Sequence, residues 1–337
     1  MIVIGVDVHK VSLTAVAVDE VGREVGEETT VDGGGLLVWS ATLPGERLWA
    51  IEDCRQLTRG LERDLVAAGE RLVRVPPKLT APQRRTGRER GKSDPIDALA
   101  VARAALREPR LDYPRPQEPM LRELKMLVDH RDCLVAERTR AQQRLRWHLH
   151  ELDPGLHVPA GGLDRSVWLD RLGRRFARCE QTTQIAIVRE LIGRCRMLTR
   201  TIRETERDLA TRTTAMAPGL RALPGCGPVM AAKLLGEIGP IDRFPTDAQL
   251  ARHAGVAPLE ASSGKHRRHR LDRGGNRQLN RALHQIAITQ ARMHPPARAY
   301  MERKQAEGKS RREALRCLKR HLARTIHTTL KNEAHLT

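Results

Sequence analysis

Two stretches of about thirty residues constrain this chain most. Positions three and four apart run Leu121, Leu124, Val128, Arg131, Val135, Arg138, Gln142, Leu145, Leu149, Leu152 in the first. In the second they run Ile185, Val188, Ile192, Cys195, Thr199, Ile202, Glu206, Leu209, Thr213, Met216. Seven of ten are apolar in each series. Sustained 3-4 spacing predicts two long helices with a coiled-coil-like seam. The seam could join two molecules, or the helices could form an antiparallel hairpin within one chain. Pro154, Gly155, Pro159, Gly161 and Gly162 mark loop and short helix between them. The helices divide the chain into an expected domain 1–115, a helical domain 116–216 and a third domain 217–337.

The first hundred residues read as α/β. Residues 2–8 are apolar and 12–18 alternate; 23–31, 47–52 and 71–75 make further strands, with helices at 56–68 and from about Pro95 to Leu106. Asp19–Gly22 reads as a hairpin turn, and four prolines between 107 and 119 read as a linker. A three-strand meander followed by strand, helix, strand, helix is the order of a ribonuclease-H-like domain. From Ala217 onward Gly, Pro and Arg dominate. Leu223-Pro-Gly-Cys-Gly-Pro228 opens a helix and has the form of one helix-hairpin-helix unit, whose backbone N–H groups (at Gly225 and Gly227) would hold a DNA phosphate. A turn that only packs two helices would look the same. Residues 243–251 predict a capped helix, and 277–330 two or three basic helices.

The charge names a partner class. Sixty Lys and Arg against 41 Asp and Glu give +19, which points to nucleic acid. Two runs concentrate it: Lys78, Arg84, Arg85, Arg88 and Lys92, read as a phosphate-contacting loop, and Lys265, Arg267, Arg268, Arg270, Arg273 and Arg277. Eight aromatic residues are too few for base stacking to dominate. No apolar run reaches the length of a membrane span, and no signal peptide leads the chain. Six cysteines without a Cys-x-x-Cys pair speak against a disulfide framework or zinc ribbon and fit a reducing cytoplasm.

Four carboxylates could carry chemistry, and of these Asp7 stands where structure asks least for an acid. Asp7 interrupts the apolar strand Val3-Ile-Gly-Val-Asp-Val8, and Glu52 ends Leu48-Trp-Ala-Ile-Glu52, with Asp53 as its rival. Asp94 and Asp97, three apart, start a helix and share a face. Asp94 before Pro95 would also serve as an N-cap, and Asp97 as a first-turn acid. Together the four could hold two Mg2+ ions for phosphodiester cleavage.

These motifs resemble a known family. Gly5-Val-Asp-Val-His-Lys10, Glu52 and Lys92-Ser-Asp-Pro-Ile-Asp-Ala-Leu-Ala100 are similar to the DEDD transposases of bacterial insertion sequences, the one-ten family, whose N-terminal domain is like the RuvC Holliday-junction resolvase. Leu223–Pro228, Phe244–Ala251, Gly255-Val-Ala-Pro258, Ser263-Gly264 and Arg273-Gly-Gly-Asn-Arg277 resemble its second, transposase domain and add Asn276 to the nucleic-acid set. The resemblance implies a recombinase that cleaves and rejoins DNA. Asp7, Glu52, Asp94 and Asp97 would hold Mg2+, and Ser263 (with Ser262 as its rival) would become covalently joined to DNA. It further implies donor and target DNA, a structured guide RNA and a homo-oligomer, dimer or tetramer. A RuvC-like nuclease without a covalent intermediate is the alternative, as is a scaffold without activity. Glu52-Asp-Cys-Arg55 departs from the family, which often has a small residue and glycine after the Glu.

Overall fold

A computed structural model describes the chain except residues 53–54, 87–92, 109–110, 112, 114–117, 261–268, 271, 273 and 335–337. It forms two compact units, Met1–Pro116 and Gln117–Thr337. Among the described residues no helix is long and apolar enough to cross a membrane.

The first unit is a five-stranded mixed sheet with helices on both faces. Its elements are β1 (Ile2–Val8), β2 (Leu13–Val18), β3 (Glu24–Thr30), α1 (Gly33–Ser40), β4 (Arg47–Glu52), α2 (Arg55–Ala67), β5 (Leu72–Val75), α3 (Pro77–Thr86) and α4 (Asp94–Arg107). The strand order is β3-β2-β1-β4-β5. The first three strands pair antiparallel, and β4 and β5 add in parallel to β1. This is the ribonuclease-H-like arrangement that the order of elements predicts.

Alternation along β1 sorts its side chains. Ile2, Ile4 and Val6 join Trp49, Ile51, Leu36, Leu61 and Leu65 on the α1–α2 face. Val3 joins Ala50, Val73 and Val75 against Ala98, Val101 and Ala102 of α4. Gly5 lies on that second face, and a Cβ there would come within 2.1 Å of the Ala98 carbonyl oxygen and 2.4 Å of the Ala102 nitrogen. Only glycine lets α4 press this closely on the sheet.

Two helices differ from the sequence expectation. Residues 78–86, read as part of a basic loop, belong to α3. Pro77 begins it without needing a donor, and Thr80 in its first turn is fully buried. Pro82 and the run of charge hid the helix. The short α1 went unread because three glycines open it; Asp32 caps it by accepting from the Gly35 N–H at 2.9 Å.

The second unit contains α5 (Pro119–Leu152), α6 (Ser166–Ala177), α7 (Thr183–Met216), α8 (Pro218–Ala222), α9 (Pro228–Ile238), α10 (Asp247–His253), β6 (Leu259–Glu260), β7 (His269–Arg270), α11 (Arg277–Met293), α12 (Pro295–Ala306) and α13 (Arg311–Ala334). Helices α5 and α7 each run 34 residues. Cross-links descend along α7 as they climb α5: Glu123 to Arg212, Arg131 to Glu206, Glu137 to Arg194, Glu151 to Gln184. The pair is therefore an antiparallel hairpin within one chain. Third elements complete its apolar seam. Leu163, Leu169, Leu172 and Phe176 cover the distal half, and Ala231, Leu234, Ile286 and Leu318 belong to the core around Leu124, Val128 and Leu209. Polar seam positions find partners there too: Gln142 donates to the Leu163 carbonyl at 3.0 Å.

Candidate metal centre and nucleic-acid interface

Asp7 continues the series Val3, Gly5 on the α4 face of the sheet. Gly5 pairs with Ala50 across the parallel β1–β4 ladder and Val6 with Ile51. Glu52, next after Ile51, thus follows on the same face as Asp7, at the carboxyl end of the neighbouring strand. Helix α4 begins above that face. Its N-cap is Ser93, so Asp94 is the first helical residue rather than the cap. Sheet and helix thus gather Asp7, Glu52, Asp94 and Asp97 on one side of the sheet, around the carboxyl ends of β1 and β4.

The tightest cluster adds His9 of the Gly5–Lys10 motif to the carboxylates. His9 Nε2 lies 3.1 Å from Asp7 Oδ2 and 3.1 Å from Asp94 Oδ1. One ligand atom from each of Asp7, His9 and Asp94 falls within 4.8 Å of the others. The His9 imidazole nitrogen thus lies within hydrogen-bond distance of both carboxylates. No spacing rule would have found His9, because it acts two residues beyond Asp7 after the strand has ended. Asp97 is buried, and Asp94 is half-exposed. Burial lifts the Asp7 carboxyl above the usual carboxylate range; His9 pulls it back, and the Asp97 and Asp94 charges raise it further. Thr80 Oγ1 donates to Glu52 Oε1 at 2.7 Å, fixing that carboxylate against α3. Asp53, the rival of Glu52, lies outside the described residues.

Of the C-terminal motifs, Ser263-Gly264 falls between two short antiparallel strands, β6 and β7. Leu259 pairs with Arg270 and Glu260 with His269. Ser262, Ser263, Lys265, Arg267 and Arg268, between these strands, lie outside the described residues, as does Arg273. Beside these strands, Gly255 and Gly275 meet backbone to backbone: a Cβ on Gly275 would fall 2.2 Å from the Gly255 nitrogen. The Asn276 N–H donates to the His253 carbonyl at 2.7 Å. Arg252 Nη1 donates to the buried Asp272 Oδ2 at 2.7 Å. Asn280 Nδ2 donates to the Ala254 and Gly255 carbonyls, while its Oδ1 accepts from Lys319 Nζ at 2.6 Å.

The predicted nucleic-acid contacts are scattered over this framework. Lys78 is exposed on the first turn of α3, to which Arg84 and Arg85 also belong; Arg88 and Lys92 lie outside the described residues. Gly225 sits in the turn between α8 and α9, and Gly227 is the N-cap of α9. Arg270 and Arg277 are exposed. The Asn276 amide is engaged at both ends: it caps α11 through Gln278 and Leu279 and donates to Glu237 Oε2 at 2.6 Å.

Comparison with known proteins gives these two sites a common frame. Residues 4–154 match the family model of DEDD transposases of the IS110 type, described as "Transposase", and residues 217–302 match "Transposase IS116/IS110/IS902 family". The 44.8 kDa protein of insertion element IS116 from Streptomyces clavuligerus is 27% identical, over 99% of this chain and 96% of that protein. The 43.6 kDa protein of insertion element IS110 from Streptomyces coelicolor is 40% identical, over 35% of this chain and 29% of that protein. A distant likeness, with 15% identity and a TM-score of 0.28, relates 34% of this chain to 99% of T. thermophilus RuvC, solved with a Holliday junction substrate. With both family models matched in order and relatives aligned end to end, the chain belongs to the IS110/IS116 family of DEDD insertion-sequence transposases, enzymes that act on DNA.

Proposed function

We propose that this transposase cleaves and rejoins DNA strands through Ser263, assisted by Mg2+ at Asp7, Glu52, Asp94 and Asp97. The observation that carries the metal half is the cluster of Asp7, His9 and Asp94 within 4.8 Å, with Asp97 close enough for its charge to act on Asp7. Oxygen donors at the mouth of a sheet, with one face toward solvent, suit an ion that keeps waters and takes substrate phosphate as a ligand. Bound there, two ions would supply nucleophile activation and stabilisation of the leaving oxygen. The protein's own part is to hold the carboxylates ready. Gly5 lets α4 approach, and Thr80 orients Glu52.

The serine half rests on the family match of the transposase domain. In the step we propose, the Ser263 oxygen attacks a DNA phosphorus and gives up its proton. The P–O bond to the neighbouring nucleoside breaks, and that oxygen leaves as a hydroxyl after taking a proton. The phosphoserine ester keeps the phosphate activated, so a strand hydroxyl can reverse the step on a new partner. Donor and target DNA are the substrates in this reading. A structured guide RNA pairs with both, and the protein works as a homo-oligomer. The +19 charge supports polyanionic partners of this size.

A covalent-capture assay tests both halves. Protein, Mg2+, flanking RNA and labelled DNA are incubated, denatured and run on a gel. An adduct lost in Ser263→Ala and kept in Ser262→Ala is expected. Asp7→Ala should abolish cleavage while nucleic-acid binding stays near wild type. Normal cleavage by Asp7→Ala would refute the metal site, and cut DNA without an adduct would make the enzyme a hydrolytic nuclease.

A further inference from the structure

The eight aromatic residues are few, and most are engaged. Trp49 is buried and its indole N–H donates to Glu70 Oε2; Trp168 lies under the Arg171 guanidinium; Tyr300 stacks on His321. Tyr113 and Trp147 are exposed instead, and Trp147 is the more so. Trp147 stands on the outer face of α5 with 70% of its surface exposed. Its indole N–H meets no acceptor among the described residues, and no cation covers the ring. This large flat side chain, held on a 34-residue helix and facing water, has a ring free to stack.

The neighbours on that face say what it contacts. Arg140 and Arg144 precede Trp147 by seven and three residues, so the three side chains line up over two turns, about 10 Å along the helix. Long side chains on a helix lean toward its N-terminus, which carries the indole toward Arg144. Arg140 and Arg144 are exposed, and neither has an ion pair among the described residues. The acid nearest the ring along the helix, Glu151, accepts from Gln184. A protein partner here would have to bring acids to match both arginines. A nucleic-acid strand brings a base and its phosphates together.

We propose that Trp147 is a stacking platform for an unpaired base of a bound nucleic-acid strand, with Arg140 and Arg144 holding adjacent phosphates. This rests on the reading of the chain as a binder of guide RNA and DNA, and it adds a site to that reading. Stacking needs an open π-face and is lost in a closed duplex, so the site selects unpaired segments. Shortage of aromatic residues rules out stacking as the general mode of binding, but not one anchoring stack.

The test uses the full-length protein in EDTA, so that no strand chemistry occurs. Fluorescent 12-nucleotide oligouridine, 12-nucleotide oligothymidine and a 12-base-pair DNA duplex serve as probes. Trp147→Ala is expected to weaken binding of at least one single strand by about tenfold, Trp147→Phe much less, and duplex affinity should not change. Loss confined to oligouridine would assign the site to RNA; loss confined to oligothymidine would assign it to DNA. Arg140→Ala with Arg144→Ala should lower the single-strand salt slope by about 1.4. Unchanged single-strand affinity in Trp147→Ala would overturn the proposal, as would an equal loss on the duplex. A changed sedimentation mass with unchanged strand affinity would overturn it in favour of contact between copies. Adduct formation by Trp147→Ala, measured separately with Mg2+, keeps failure of the stack distinct from failure of the serine reading.

Discussion

The two glycine contacts beneath the candidate sites achieve the same closeness by different means. In the N-terminal unit, Gly5 lets α4 settle on β1, and the surroundings are apolar: Val3, Ala50, Ala98, Val101, Ala102. The carboxylates then emerge from the ends of regular elements whose positions are set by core packing. In the C-terminal unit, Gly275 meets Gly255 between two irregular turns, and the surroundings are polar: Arg252 with Asp272, Asn276 with His253, Asn280 with Lys319. Apolar packing tolerates small shifts, because dispersion is non-directional. A polar clamp does not, because each broken hydrogen bond leaves a buried group without a partner. A metal site on the first kind of support can adjust to its ion. The paired strands β6 and β7, beside the second kind, would be held in one geometry.

The largest effects should come from the glycines themselves. Gly5→Ala and Gly275→Ala each place a Cβ within 2.2 Å of backbone, and overpacking of this kind costs at least about 1–3 kcal/mol. Both should lower the denaturation midpoint. The comparison makes their consequences diverge: Gly5→Ala should abolish Mg2+ binding, measured by titration calorimetry, whereas Gly275→Ala should keep Mg2+ binding and lose the covalent adduct. An adduct at wild-type yield in Gly275→Ala would break the claim that the clamp sets β6 and β7.

Lys319 sharpens the polar half. Burial, and to a lesser degree Arg316, pulls its ammonium down to about 8 from 10.5. The unfolded chain therefore holds this proton up to higher pH than the folded one, and stability should rise as pH climbs from about 8 toward 10. The gain is up to about 3 kcal/mol. Two buried thiols oppose it from about pH 9: burial pushes Cys195 up to about 11 and Cys226 up to about 12, so the unfolded state loses those protons first. Net stabilisation is expected between pH 8 and 9. Urea midpoints of wild type and Lys319→Met across that range should diverge, with the variant flat or falling; parallel curves would show that Lys319 keeps its charge when folded.

The smallest effect belongs to the exposed links of the helical hairpin. Arg212 Nη1 donates to Glu123 at 2.7 Å, with both side chains more than a third exposed. Glu123→Gln should cost under about 1 kcal/mol and less in high salt. A larger loss would mean that these ion pairs, rather than the apolar seam, hold α5 on α7.

Much was legible in the residues. An Asp inside an apolar strand and a pair of acids three apart at a helix start are local patterns, and the fold gathers them on one face of the sheet with Glu52. The 3-4 spacing located α5 and α7 to within a few residues, because helix periodicity is written in neighbours along the chain. Less legible were α3, masked by charge and Pro82, and His9, whose partners sit at positions 7 and 94. Asn276 read as a nucleic-acid contact because nothing local reveals that Glu237 takes its amide.

The sequence by itself determined the succession of strands and helices, the excess of positive charge and that Asp7 stands where structure asks least for an acid. Tertiary structure alone decided that Asp7 and Glu52 share a face, that Gly5 and Gly275 are contact points rather than hinges, and that Trp147 is left uncovered. Secondary structure follows from bonds and periods between residues a few positions apart. Close approach of backbones, and exposure of one ring, depend on which distant elements arrive beside them.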